Sequence, residues 1–309
     1  MKARIAVVTT LLTMSAALAA GADPQLLNMV MPDAQVMAGV NVDQARTTPF
    51  GQWVLTQMQS QDRHLQEMTT QVGFDPRRDV RELLVASPGG TDVKAGLALA
   101  RGTFDVARIA AAAKAAGVTV ENYRGATLIL EPQKKGAFAF PDNFTVVAGT
   151  PDLVRAALDR RTRTTSSISP ALATKVNQLS TSQDAWAVTL VPPSTLHPPV
   201  NAPQFAQQDV FQKIQQASGG VKFGANIVFS GEAQAATAQD ATSMGQLLQF
   251  LANLALTQSQ NDPTAAALVK ALTVNAQGQT LKIGLTLPQS QFEQLVQPRQ
   301  HTGRKRVAR

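Results

Sequence analysis

The side chains that most often carry chemistry are few and scattered in this sequence. Its three histidines are His64, His197 and His301, and it contains no cysteine. Without cysteine the chain has no thiolate nucleophile, no thiolate metal ligand and no disulfide. A histidine beside carboxylates could hold a metal ion, and Asp62 and Glu67 flank His64 in this way. Such neighbours are common on solvated helix faces, so we predict no metal site there.

Paired carboxylates could do general acid and base chemistry in the segment FDPRRDVRE. The candidates by spacing are Asp75 with Asp79 and Asp79 with Glu82. Three arginines alternate with them, and nearby positive charge lowers the pKa of a carboxyl group. We therefore interpret the segment as a charge-compensated surface. No catalytic, cofactor-binding or metal-binding residue is predicted in this sequence.

Nucleophile elbows and phosphate-binding loops are also missing from the sequence. It has no G-x-S-x-G motif, no Walker loop, and no G-x-G-x-x-G after a predicted strand. The glycine-rich segment Pro88 to Asp92 joins two predicted strands, and we expect a turn there. Trp53 and Trp186 are expected in the core and not on a sugar-binding or base-binding surface.

The first 22 residues are typical of a secretory signal peptide. Lys2 and Arg4 precede an apolar run, and small residues in A-x-A order follow at Ala17 to Ala19 and at Ala20 to Ala22. The apolar run contains several hydroxyl residues and is shorter than the roughly 20 apolar residues that span a bilayer. We predict cleavage, a secreted or periplasmic address, and no transmembrane segment in the mature chain.

The positive charge of the chain is concentrated at its two ends. The formal net charge is +7, from 28 basic and 21 acidic residues. Two basic residues belong to the signal peptide and five to residues 299–309, which leaves 21 of each sign in between. A neutral body argues against specific nucleic-acid binding. The tail is predicted to be disordered and to make weak electrostatic contact with anionic lipid or polymer.

Short apolar runs alternate with helix signals along the body, which predicts an α+β fold. We expect mostly antiparallel sheet with helices packed on one face, and a ferredoxin-like βαββαβ order in the first half. Composition shifts near Ser166, so residues 1–22, 23–165, 166–298 and 299–309 are predicted as signal peptide, N-terminal half, C-terminal half and tail. Whether the two halves form one domain, and whether they are a duplication, stays open.

Predicted strands and helices are read from periodicity and helix-capping signals. The predicted strands are Val36 to Val42, Val80 to Ala86, Ala95 to Ala100, Thr127 to Leu130, Phe144 to Ala148, Ala185 to Val191, Phe223 to Phe229, Leu272 to Asn275 and Leu281 to Leu287. The predicted helices are Pro49 to Thr70, Ala171 to Leu179, Ala206 to Ala217, Glu232 to Leu256, Pro263 to Ala271 and Gln289 to Val296. Two more begin after matching Gly-Thr-x-Asp junctions, with Thr103 and Thr150 as predicted N-caps and Gly117 ending the first.

Four segments carry a resemblance to known proteins. They are LLNMVMPDAQVMAGVNVDQARTTPFGQWVLTQM, GFDPRRDVRELLVAS, LALARGTFD and NQLSTSQDAWAVTLVP. Behind the signal peptide, they resemble a family of uncharacterised bacterial secreted proteins of unknown function, over most of the mature chain. The resemblance implies a bacterial envelope address and a single architecture, and it implies no catalytic residues.

These observations predict a non-catalytic binding or structural component of the bacterial envelope, whose partner is an unidentified envelope protein or polymer. Two alternatives stay open. One is a hydrolase-type enzyme whose site residues converge only in the fold, which a pocket with perturbed titratable groups would reveal. The other is a periplasmic chaperone or assembly partner that uses the apolar helix from Glu232, which a contiguous exposed apolar patch would reveal.

Overall fold

The protein is described by a computed structural model, which covers residues 21–53, 56, 70, 73–92, 95–132, 135–163, 165–196, 211–258 and 263–296. The signal-like segment up to residue 20, the three histidines and the basic tail lie outside the described residues. Most of the helix predicted for Pro49 to Thr70 also lies outside them, although residues 49–53 are helical.

Twelve strands of the described chain form one antiparallel sheet. They are β1 (Val36–Asn41), β2 (Val80–Ser87), β3 (Leu97–Gly102), β4 (Thr119–Tyr123), β5 (Ala126–Leu130), β6 (Ala137–Asp142), β7 (Thr145–Gly149), β8 (Ala185–Thr189), β9 (Ile214–Lys222), β10 (Asn226–Ala235), β11 (Leu272–Gln277) and β12 (Thr280–Pro288). Their order is β11-β12-β10-β9-β8-β1-β2-β3-β7-β6-β5-β4. The pairing of β1 with β8 makes the sheet continuous from the first half of the chain to the second.

Apart from the helical residues 49–53, the helices of the described residues lie before, between and after these strands. They are α1 (Pro24–Met29), α2 (Val42–Arg46), α3 (Pro76–Asp79), α4 (Val106–Ala115), α5 (Pro151–Arg160), α6 (Pro170–Ser182), α7 (Ala238–Gln258), α8 (Pro263–Ala271) and α9 (Gln289–Val296). Together with the sheet they confirm the predicted α+β class and its antiparallel character. The segment Pro88 to Asp92 joins β2 to β3, as expected, and a hairpin at Gly278 joins β11 to β12.

Helices pack on both faces of the sheet, not on one. Alternate residues of a strand point to opposite faces, and in β5 both Leu128 and Ile129 are buried. Leu128 belongs to the main core, which α1, α5 and α6 cover on what we call the first face. Ile129 belongs to a smaller core under α4 on the second face. The register places Ala233 and Leu281 on the second face as well, where α7 covers them.

The βαββαβ order predicted for the first half is not what the structure shows, because β4 and β6 were not predicted. The polar residues of β4 and the proline at position 141 in β6 hide both strands from a search for apolar alternation. With them, four consecutive antiparallel strands, β4 to β7, follow α4, where the predicted order has a single strand.

Two helix boundaries in the second half were wrong. The helix predicted for Ala206 to Ala217 is contradicted from Ile214 onward, where β9 begins. The helix predicted from Glu232 starts at Ala238, because Glu232 pairs with Lys282 inside the sheet. Alanine is the strongest helix former and glutamine a good one, but pairing with strands on both sides overrides that preference.

The matching junctions do start helices, with different caps. Asp105 and not Thr103 caps α4, and its carboxylate accepts the amide N–H of Arg108 at 3.0 Å. Thr150 occupies the N-cap of α5 but makes no side-chain capping bond. Gly117 has φ = 74°, which agrees with its predicted place at the end of the first helix.

Candidate functional site

A cavity of about 490 Å³ lies between α4 and the second face of the sheet. Its helical wall is formed by Ile109, Ala112 and Ala113, together with Ala116 just beyond the helix. Strands β2, β3, β5, β6 and β7 form the opposite wall. Every described side chain that lines it is a hydrocarbon. The volume falls within the range of about 300–1,000 Å³ that is usual for small-molecule pockets.

The cavity exists because alanines face each other across it. Helix α4 has the sequence VARIAAAAKA and directs Ala112 and Ala113 toward the sheet. On the sheet side, Ala98, Ala100 and Ala148 line the cavity. Helix and sheet layers are spaced for larger side chains than these, so methyl groups leave the space between them unfilled. Voids of this size are uncommon in protein interiors, which makes the cavity the leading candidate for a binding site.

One end of the cavity is closed by aromatic rings. Phe104 lies 5.7 Å from Phe74 and 5.7 Å from Phe140, measured between ring centroids. The amide N–H of Phe104 donates to the carbonyl of Asn143 at 2.8 Å, which holds the start of α4 against the β6–β7 turn. Aromatic pairs at this separation are favourable beyond their buried area. The rings therefore form a rigid end wall.

The other side of the cavity is open to solvent. Leu83 on β2 and Phe138 on β6 line it and are 38% and 41% exposed. Val85, two residues after Leu83 on the same face of β2, is 44% exposed. Large apolar side chains on strands are normally covered. Their exposure beside an apolar cavity marks this side as its entrance.

Asp75 and Asp79 do not form an acid–base pair. Arg77 binds Asp75, with its Nη2 2.7 Å from Oδ2, and this hydrogen bond lowers the pKa of Asp75. Burial pushes the pKa of Asp79 upward, but hydrogen bonds from Arg78 and from the Asp75 amide outweigh it and the pKa is lowered. Both groups are therefore ionised acceptors, as the charge-compensated interpretation expects.

Glu82 departs from that interpretation. It lies on the first face, where both of its carboxylate oxygens accept the amide N–H of Asp23, at 3.1 and 3.3 Å. Burial raises its pKa from 4.5 to about 7, and the charge of Asp23 adds to the rise. Arg101 and the Asp23 amide only partly oppose the rise. Glu82 is on the opposite side of the sheet from the cavity, so we assign its raised pKa to structure and not to catalysis.

A Glu82→Gln variant should change how stability depends on pH. The folded chain binds the Glu82 proton more tightly than the unfolded chain, so this stabilisation is complete below pH 4.5 and is lost as the pH rises through about 7. Urea unfolding of the wild type should therefore lose about 2 kcal/mol between roughly pH 5 and pH 8 that the variant retains. A Glu131→Gln variant, at an exposed carboxylate, is the control. Parallel pH curves for wild type and Glu82→Gln would contradict the assignment.

The described part of the chain offers no polar site to compare with the cavity. A cleft of about 20 Å³ beside the Lys175–Glu232 ion pair has room for about one water molecule. No group of three or more His, Asp or Glu residues is arranged to hold a metal ion among the residues described. Within the same residues, no helix has the length and apolarity needed to cross a membrane.

The large amphipathic rings are used structurally. Trp186 is buried in the main core, where it lies over Gly39 and leaves no space for a side chain there. Trp53 is half-buried and stacks on Phe50 with 5.8 Å between ring centroids. The hydroxyl of Tyr123 lies 3.2 Å from Oδ2 of Asp159. These placements confirm the core assignment of Trp186 and give no exposed aromatic platform at these positions.

The cavity residues carry no pattern that sets them apart in the sequence. The alanine run in α4 is an ordinary helical sequence, and Ala98 and Ala100 belong to an ordinary apolar strand. A usable signal was the coincidence of an alanine-only helix face with a strand of small residues just before it. That signal predicts that the space between the helix and the strand is poorly filled, but it does not indicate which face of the sheet the helix covers.

Comparison with known proteins adds information on the fold alone. No family model matches the chain, and no curated protein matches it either. Among solved structures it is similar to crystal form III of TP0453, with a TM-score of 0.53 and 10% identity over 89% of this chain and 97% of that one. Crystal form I of TP0453 gives a TM-score of 0.50 at 10% identity, over 89% and 96% of the two chains. At this identity the likeness shows a shared α+β fold and carries no activity.

Proposed function

We propose that this protein is a non-catalytic binding protein of the bacterial envelope that holds an apolar small molecule in the cavity between α4 and the sheet. The observation that carries the proposal is the cavity itself, about 490 Å³ in volume and lined by hydrocarbon side chains. A ligand that fills the cavity shields the apolar protein surface from water, which contributes roughly 25 cal/mol of favourable free energy per Å² buried. The apolar surface of the ligand is buried at the same time.

The composition of the cavity favours binding over catalysis. Acyl transfer, hydrolysis and proton transfer all need a nucleophile, an acid or a base near the reacting atoms. The described lining has none of these, and the acid with the raised pKa, Glu82, lies on the other face. The hydrolase alternative therefore has no supporting site in the described part of the chain.

The envelope address rests on the signal-like N-terminus and on the resemblance to secreted proteins. Packing near the first described residues supports one of the two A-x-A sites. Ala22 is buried in the main core, and a side chain at Gly21 would crowd Thr181 at 3.2 Å. Because residues 21 and 22 belong to the folded body, we expect cleavage after Ala19, so that they are kept. The intact mass of exported protein should correspond to a chain that begins at Ala20, and a chain that begins at Asp23 would contradict this.

Titration with an environment-sensitive apolar dye, N-phenyl-1-naphthylamine, tests the binding proposal. The folded protein should bind the dye saturably, with one site per chain and a blue-shifted emission. A linear, non-saturating signal, or the same signal from urea-unfolded chain, would sink the proposal.

The titration must distinguish dye binding in the cavity from dye binding at a second apolar surface. Helix α7 buries Met244 against the sheet but exposes Phe250 and Leu254, 62% and 42%, one turn apart on its outer side. This small apolar patch is what the chaperone alternative would use. A Phe250→Ser, Leu254→Ser double variant should leave dye binding unchanged. Loss of binding in this variant would move the site to α7 and favour the chaperone alternative.

A further inference from the structure

Two strands lie at the ends of the twelve-stranded sheet, each with one neighbour among the described strands. They are β4 and β11, and each is joined to its neighbour by a two-residue turn. An edge strand presents unpaired backbone N–H and C=O groups, which can pair with another chain. Natural edges are usually protected by charged side chains, by proline or by bulges. The two edges of this sheet differ in that protection.

Strand β11 carries none of these three protections. Its sequence is LTVNAQ, without a charge or a proline, and its register with β12 has no shift. Gln277 and Thr280 flank the turn to β12, and the two residues that flank such a turn share a hydrogen bond. Bonded and non-bonded pairs alternate along an antiparallel ladder. The backbone groups of Leu272, Val274 and Ala276 therefore face away from β12, toward the open edge.

The two faces of β11 have opposite character. Thr273, Asn275 and Gln277 lie on the first face of the sheet and are exposed. Val274 and Ala276 lie on the second face, in the small core that α7 covers. Successive side chains of a strand alternate between the faces, so a strand that pairs with this edge should be polar on one face and apolar on the other.

A second copy of β11 meets these requirements in one antiparallel register. With a twofold axis at Val274, each Val274 faces the other, and Leu272 faces Ala276 of the second copy. This register uses all the outward backbone groups, because each of these pairs exchanges two N–H···O bonds. It also places Thr273 opposite Asn275 of the second copy on the first face, where neither side chain is charged.

The other edge of the sheet does not pair with itself in this way. The turn after Tyr123 also has two residues, so the backbone groups of Val120 and Asn122 are the ones that face outward from β4. Pairing them with a second β4 places Glu121 directly opposite Glu121 of that copy. Like charges in this position are unfavourable, and the Arg155 that binds each carboxylate would lose water in the contact.

We propose that the protein forms a twofold dimer through β11, in which the sheets of two copies join into one. The contact is isologous and closes on itself, so it gives a dimer and not a fibre. Six residues a side are far fewer than the roughly 20 of a standard interface, so the dimer is weak and its population depends on concentration. The inference goes beyond the proposed function, because β11 lies at the opposite end of the sheet from the strands that line the cavity.

Sedimentation velocity of the mature chain over a range of concentrations measures the dimer. The weight-average mass should rise from that of one chain toward twice that value. Val274→Pro removes the central N–H donor of the contact and should lower the association constant by about tenfold or more. Proline is tolerated on an edge strand where its missing N–H faces outward. Val274→Ala, which shortens the same side chain and keeps the amide, is the control and should still dimerise.

Two double variants test the register, and both contain Asn275→Glu. Combined with Thr273→Glu, it places like charges opposite each other across the twofold axis and should abolish the dimer. Combined with Thr273→Lys, it places opposite charges at the same positions and should retain the dimer. Both positions are exposed in the single chain, and position 275 pairs with Lys282, which suits the new carboxylate.

The outcomes separate this inference from the proposed function. A chain that stays monomeric at every concentration overturns the dimer. A dimer that forms equally in both double variants, or in neither, overturns the β11 pairing. Dye binding in the cavity should be unchanged in all of these variants, because β11 contributes nothing to its lining. Failure of the dye to bind removes the proposed function and leaves the dimer to be judged by its mass.

Discussion

Replacing Ala113 with phenylalanine is expected to abolish dye binding. Ala113 faces the cavity from α4, and a benzyl side chain there occupies the volume that the ligand needs. A single unwanted methylene in an apolar pocket already costs about tenfold or more in affinity. A whole ring should therefore reduce binding well beyond about tenfold, measured as the midpoint of the dye titration.

The matched control for this variant lies two residues away. Ala111 is on the same helix but is exposed to solvent, so Ala111→Phe introduces the same side chain outside the cavity. Both variants carry the same loss of helix propensity. Thermal unfolding of both variants checks that the fold survives, since filling a void is better tolerated than overpacking a full core. Equal loss of binding in the two variants, or wild-type binding in Ala113→Phe, would contradict the location of the site.

Replacing Asp184 with alanine is expected to lower the free energy of unfolding by about 1–3 kcal/mol. Asp184 is completely buried. One carboxylate oxygen accepts Nζ of Lys222 at 2.9 Å, and the other accepts the amide N–H of Phe223 at 2.6 Å. Alanine would leave the backbone N–H of Phe223 unsatisfied, which is the larger loss. It would also remove the partner of Lys222, whose side chain is 40% exposed and can be solvated instead.

The position of Asp184 in the sheet explains why this loss should be large. Its carbonyl accepts the amide N–H of Asn41 at 2.8 Å, and its own amide donates to Val221 at 2.9 Å. The residue therefore joins β1, β8 and β9 at the point where the two halves of the chain meet. Asp184→Asn keeps the shape and one acceptor, so it should lose clearly less in urea unfolding. A loss below about 1 kcal/mol in Asp184→Ala would show that the junction does not depend on the buried carboxylate.

Local signals correctly predicted the elements that begin or end at a proline or a glycine. The helix after Gly149 begins with Pro151 at its first position, and the last hairpin turns at Gly278 with φ = 56°. These residues act through backbone geometry that is fixed within a few positions of the chain. The prediction failed where pairing with neighbouring strands determined the secondary structure. Ile214 to Ala217 were predicted as the end of a helix, yet they form the start of β9, a strand whose backbone groups β8 and β10 satisfy on its two sides.

The pKa shifts of the acidic residues likewise divide into one that depends on local sequence and one that depends on distant residues. The lowered pKa of Asp75 was predictable, because its partner Arg77 is two residues away. The raised pKa of Glu82 was not, because its environment comes from Asp23, 59 residues earlier, and from burial on the first face. Charge balance along a segment describes only contacts within that segment.

By itself, the sequence determined that thiol chemistry is excluded, that the excess positive charge belongs to the two ends, and that the body is α+β. These properties depend on composition or on residues close together in the chain. Only the tertiary structure decided that there is a cavity and what can fill it. Ala98, Ala113 and Ala148 are unremarkable separately, and they leave an empty slot only because the register of β3 with β7 and the path of α4 bring them face to face. Unfilled volume belongs to the packing of distant elements, so no single stretch of sequence contains it.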